Sequence, residues 1–173
     1  MEPTIAVLIA AGLATTGWIY AARKARTLAR KQHTINVLLQ ASFNKEFLEA
    51  RNALSPHLKA CVFPEDVSRG ENEPLRAQFR SILNHYEFVA AALRNGDFAE
   101  RLMFDSERAS AMALYKCCET YIWNQRSNRD RMALYEHLEW LYIRWEKEPP
   151  GRIQRCFEFL RGAPLYGKRN STK

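Results

Sequence analysis

Residues 74–96 read PLRAQFRSILNHYEFVAAALRNG. The apolar side chains Leu75, Phe79, Ile82, Leu83, Tyr86, Val89, Ala90 and Leu93 recur every three or four positions, so they fall on one side of a helix. Pro74 suits the first turn, where its missing N–H would have had no partner, and Asn95-Gly96 supplies a left-handed stop. A helix with so wide a stripe needs other helices to cover it. No segment of the chain alternates β-branched residues as a strand would, so the expected fold is all-α.

The same periodicity runs outward in both directions. Upstream, Thr27–Gln40 puts Leu28, Ile35, Leu38 and Leu39 on one stripe, and Ser42 can cap a helix carrying Phe43, Phe47, Ala50 and Leu54. Pro56 limits or kinks that helix, and residues 61–73 have the composition of a loop. Downstream, Asp97 is expected to cap a short turn through Met103, and Ser106 to open a helix reaching Gln125. Asn128 is expected to cap a helix that carries Met132, Tyr135, Leu138, Leu141, Tyr142 and Trp145 as far as Glu148, before Pro149-Pro150-Gly151 ends it. Residues 152–161 can form a last short helix, and 162–173 read as a mobile tail.

Charge separates the two ends from the middle. Of 173 residues 26 are basic and 19 acidic, yet residues 32–151 hold 15 basic against 17 acidic side chains. The excess lies in Arg23, Lys24, Arg26, Arg30 and Lys31 and in the last 22 residues. A nucleic-acid groove would spread basic residues over the folded body, so this distribution points to a membrane surface with anionic headgroups. Thr4–Ala22, TIAVLIAAGLATTGWIYAA, is 19 residues without a charge. As a helix it spans about 28 Å, close to the hydrocarbon thickness of a bilayer. Trp18 and Tyr20 stand at its end, and the basic cluster follows directly. Positive charge is retained on the cytoplasmic side, which predicts an inner-membrane anchor with the N-terminus out and the C-terminal domain in the cytoplasm. Ala6, Ala10, Ala14, Gly17 and Ala21 share one face of that helix, and small residues at this spacing allow a second copy to approach closely in lipid.

The reactive side chains form no diagnostic constellation. Cys61, Cys117, Cys118 and Cys156 contain no C-x-x-C pair and read as reduced thiols in a core. No phosphate loop, zinc signature or nucleophile elbow is present, so no cofactor or metal is implied. Glu136, Glu139, Glu146 and Glu148 read as the solvated side of a helix. Glu87 borders the apolar stripe, and with Asn84 and Tyr86 it is expected to form a polar clamp between helices. Arg126, Arg129 and Arg131 are the candidate partners for its carboxylate.

Arg51-Asn52 followed by His57 resembles the R-x(4–6)-H signature of HEPN-domain ribonucleases. That resemblance implies an alternative in which Arg51, Asn52 and His57 act on RNA, the imidazole moving a proton and the guanidinium holding phosphate. All four histidines satisfy the spacing in a chain with 18 arginines, so an enzyme is not the favoured reading. A second resemblance starts at residue 82. Leu83-Asn84-His85-Tyr86-Glu87, then Gly96, Tyr121-Ile122 and the series Tyr135, Leu138-Glu139, Leu141, Trp145 are similar to a family of uncharacterised bacterial and prophage proteins. Members of that family carry one N-terminal membrane helix, a basic junction and a helical cytosolic domain. In layout it is also similar to the HEPN-like membrane accessory protein of type VI-B CRISPR systems, which implies phage exclusion or another stress response.

The resulting expectation has four segments: a transmembrane anchor over 1–22, a basic juxtamembrane helix over 23–41, a cytosolic bundle of about five helices over 42–161, and a basic tail over 162–173. Its expected role is protein–protein association or self-assembly at the membrane.

Overall fold

The computed structural model describes residues 3–127 and 132–147, with side-chain surroundings from Ala10 onward. Six helices follow in order among the described residues: α1 Pro3–Phe43, α2 Lys45–Ala60, α3 Glu65–Arg69, α4 Glu73–Asn95, α5 Glu100–Arg126 and α6 Glu136–Glu146. None of these residues forms a strand.

Helix α4 is the centre of the packing. Phe79, Ile82, Leu83, Tyr86, Val89, Ala90 and Leu93 are all buried, and Leu75 packs at the edge of the same core. Asn72 caps α4 by accepting from the Leu75 amide at 3.2 Å, and Gly96 closes it at φ 80°. Helices α2 and α6 pack on α4, α5 packs on α6, and Leu54, Leu114, Ile122, Leu138, Leu141 and Trp145 complete the interior.

Several boundaries differ from expectation, each for a physical reason. The first helix runs unbroken to Phe43, as expected of a sequence with nothing to separate Thr27–Gln40 from the stretch before it, but Ser42 does not cap α2. Its hydroxyl donates back to the Leu38 carbonyl, while Asn44 accepts from the Phe47 amide. Pro56 does not end α2, which continues to Ala60 and stops at Cys61 in a left-handed conformation. Cys61 is therefore an exposed helix-end residue and not a core thiol, whereas Cys117 and Cys118 are buried. A short helix, α3, interrupts the expected loop. Helix α5 is one element from Glu100, with no break at Ser106. The last helix starts at Glu136 rather than at Asn128, because Tyr135 adopts φ 56° and residues 132–135 form turns. Glu139 is not on a solvated face: it pairs with Arg126 at 2.6 Å, largely shielded from water. Residues 128–131, the expected helix over 152–161, Cys156 and the tail over 162–173 lie outside the described residues.

Among the described side chains, helix α1 joins the body through its last third. Thr34 is fully buried, Val37 and Leu38 pack on the core, and His33 lies 5.1 Å from the Phe98 ring. Before that, residues 23–33 are exposed, including Arg23, Lys24, Arg26, Arg30 and Lys31. The Thr34 hydroxyl donates to the Arg30 carbonyl at 2.7 Å and accepts from the Ala99 amide at 2.8 Å. Ala99 precedes α5 and has no side chain to cap it, so Thr34 fastens α1 to the start of α5. Among the described residues no helix is long and apolar enough to cross a membrane.

Thr34→Val keeps the shape and removes the acceptor, leaving a buried amide without a partner. It should lower unfolding free energy by about 1–3 kcal/mol, read from urea denaturation followed by circular dichroism.

Candidate functional site

Two polar clusters of the body use side chains from the 83–87 segment. The first is built on Glu87, which is half-buried. Its carboxylate accepts from the Leu138 amide at 2.8 Å and the His137 amide at 3.2 Å, and it contacts His137 Nδ1 at 2.8 Å. Tyr135, at the start of α6, offers no side-chain cap, so a carboxylate from another helix satisfies the free N–H groups and meets the positive end of the helix dipole. Glu87 thus joins helices, but through backbone amides and a histidine rather than through an arginine. Arg126 is committed to the Leu134 carbonyl at 2.7 Å and to Glu139, while Arg129 and Arg131 lie outside the described residues. Asn84 is exposed and takes no part in a clamp.

The second cluster lies between α2, α4 and α5. Tyr86, buried on the α4 stripe, donates its hydroxyl to Glu107 at 2.6 Å. Arg51 donates to the Ser110 hydroxyl at 2.7 Å and stands 3.9 Å from the other Glu107 oxygen. Burial and the neighbouring Glu107 charge push the Tyr86 phenol far above its ordinary value, so it is a fixed hydrogen-bond donor. The His85 ring packs on Phe47 in a tilted arrangement, 4.5 Å between ring centres, and its burial holds the imidazole below its ordinary value near 6.5, with Glu107 opposing the shift and Arg51 adding to it. Beside this network runs a groove of about 380 Å³, walled by α2 and α5 and floored by Leu54, Ile82 and Leu114.

The HEPN-like trio does not converge within the chain. Arg51 faces α5, Asn52 is exposed, and His57 turns to Phe79 of α4, 6.1 Å away between ring centres. Six residues apart on one helix, Arg51 and His57 lie about 120° from each other around its axis. The residues that do meet Arg51 are Glu107, Ser110 and Tyr86, with His85 close enough to feel its charge. Sequence reasoning singled out Arg51 and Tyr86 but missed Glu107 and Ser110. Their one signal was the three-residue spacing, which places both on one side of α5.

A family model described as a domain of unknown function (DUF4760) matches residues 6–145. The chain belongs to the DUF4760 family. The match runs from α1 to the last turn of α6, so it takes in the helix joint at Thr34, the Glu87 cap and the groove. No curated protein and no solved structure matches the chain.

Glu87→Ala leaves two amides at the start of α6 without their acceptor and should cost about 2–4 kcal/mol. Glu87→Gln keeps one neutral acceptor and should cost about half as much. Chemical denaturation of both variants checks the order; equal losses would mean that bulk, not hydrogen bonding, matters at this position.

His85 sets a pH dependence. The unfolded chain takes up its proton near pH 6.5, while the folded chain resists protonation to a lower pH. The stabilising contribution is therefore complete above that value and is lost as pH falls toward the folded pKa. His85→Gln should lose less stability than the unaltered chain between about pH 7 and about pH 5, measured by denaturation at both.

Proposed function

We propose that this protein is a single-pass membrane protein of a bacterial inner membrane. In this reading α1 anchors it, the N-terminus faces outward, and the helical body sits in the cytoplasm as a self-association or interaction domain. The observation that carries the reading is that, among the described side chains, Ala10–Ala21 of the uncharged run are all exposed. Leu13, Trp18, Ile19 and Tyr20 are all exposed there, a costly arrangement in water that lipid removes. Lys24 lies over the Tyr20 ring at 5.5 Å, at the point where aromatic residues give way to the basic series. An aromatic belt followed by basic residues is what the cytoplasmic boundary of an anchor requires.

Self-association has its own support in helical phase. At 3.6 residues per turn, Ala10, Ala14, Gly17 and Ala21 share a face with Leu28, Ile35 and Leu39, and those three large apolar residues are exposed outside the uncharged run. Thr34 and Val37, which hold the body, lie about 120–180° around the helix from that face. The body therefore leaves the small-residue face clear for a second copy. A role in phage exclusion or a stress response is proposed from the resemblance of its layout to that of the CRISPR accessory protein.

The test combines orientation and association in native membranes. A reporter fused after Lys173 should be active only in the cytoplasm, and replacing Ala10 and Ala14 together by Leu should preserve insertion while reducing crosslinked dimers severalfold. A periplasmic reporter signal, or recovery of the chain in the soluble fraction, would sink the anchor. Unchanged crosslinking would remove α1 as the contact.

A further inference from the structure

The groove beside Arg51 serves neither anchoring nor the α1 contact. Its α5 wall is made of small residues, Ala109, Ser110 and Ala113, so the slot between α2 and α5 is left open rather than filled by side chains. The floor is apolar, and Leu54 and Leu114 belong to the core. Two cations line it, Arg51 toward one end and Lys59 toward the other, and no carboxylate does. Eight residues apart on α2, they are separated by about 12 Å along the axis. A volume of about 380 Å³ with apolar walls and few polar groups falls within the range of small-ligand sites.

The polar end is prepared for an anion. The Arg51 guanidinium has five N–H donors, of which one is spent on Ser110. Glu107 stands off at 3.9 Å, held by the Tyr86 hydroxyl, and does not form the close two-pronged pair that would use up the guanidinium. The Arg51 side chain lines the groove and is 42% exposed, so a ligand in the groove can reach it.

We propose that this groove binds a medium-chain carboxylate, its head on Arg51 and its hydrocarbon chain over Leu54 and Leu58 toward Lys59. Charge complementarity selects the acid. The apolar floor selects the chain, and the distance between the two cations limits its length.

The experiment is isothermal titration of the full-length protein with octanoate, with octanol as the uncharged probe of the same length. Octanoate should bind one per chain, with octanol at least tenfold weaker. Arg51→Gln should weaken octanoate at least tenfold, with folding checked by circular dichroism. Ala113→Leu leaves Arg51, Ser110, Tyr86 and Glu107 unaltered but fills the slot, and it should abolish binding. This variant decides the matter if Arg51→Gln does not fold. No octanoate binding, equal binding of octanol, or undiminished binding by the Ala113→Leu protein would overturn the proposal.

Discussion

The start of α6 has bare amides inside the protein, and the Glu87 carboxylate satisfies them. Helix α6 is short, and isolated helices of its length do not persist in water. It nevertheless contributes Leu138, Leu141 and Trp145 to the interior with no measurable exposure. Those side chains reach the core only if the helix begins at Glu136, and it begins there because α4 presents an acceptor at that point. The other end is held by Arg144, which grips Glu100 of α5 through two hydrogen bonds. Acid near a helix start and base near a helix end also suit the dipoles of both elements.

Sequence periodicity was a faithful guide wherever the controlling interactions are local. The α4 stripe, its Gly96 stop and the all-helical class all follow from contacts within a few residues along the chain. Two of the misplaced helix starts have the opposite character. Asn128 looked like a helix start because the residues after it keep a helical period, but the acceptor that sets the start is Glu87, about fifty positions away in sequence. Ser106 looked like a cap, yet α5 passes through it because the free amides lie earlier, where Thr34 receives the Ala99 N–H. No local pattern announces that Thr34 will be the most deeply buried hydroxyl of a helix otherwise facing outward.

The candidate site was half legible for the same reason. Arg51 stood out by its neighbours in the chain, but its partners Glu107 and Ser110 arrive from another helix. The spacing that drew attention to His57 turned it toward Phe79 instead. Packing chose the neighbours: Arg51 and Tyr86 both face the cleft between α2, α4 and α5, where one acidic residue of α5 serves both.

The unbroken course of α1 has a mechanical consequence. A helix of 41 residues without a hinge is about 60 Å of torsionally stiff rod. Because the body is clamped to it at Thr34 instead of hanging from a flexible linker, it cannot swivel independently of the N-terminal end. Any roll or tilt imposed on that end is delivered to the body as the same rotation, making α1 a drive shaft as much as a support.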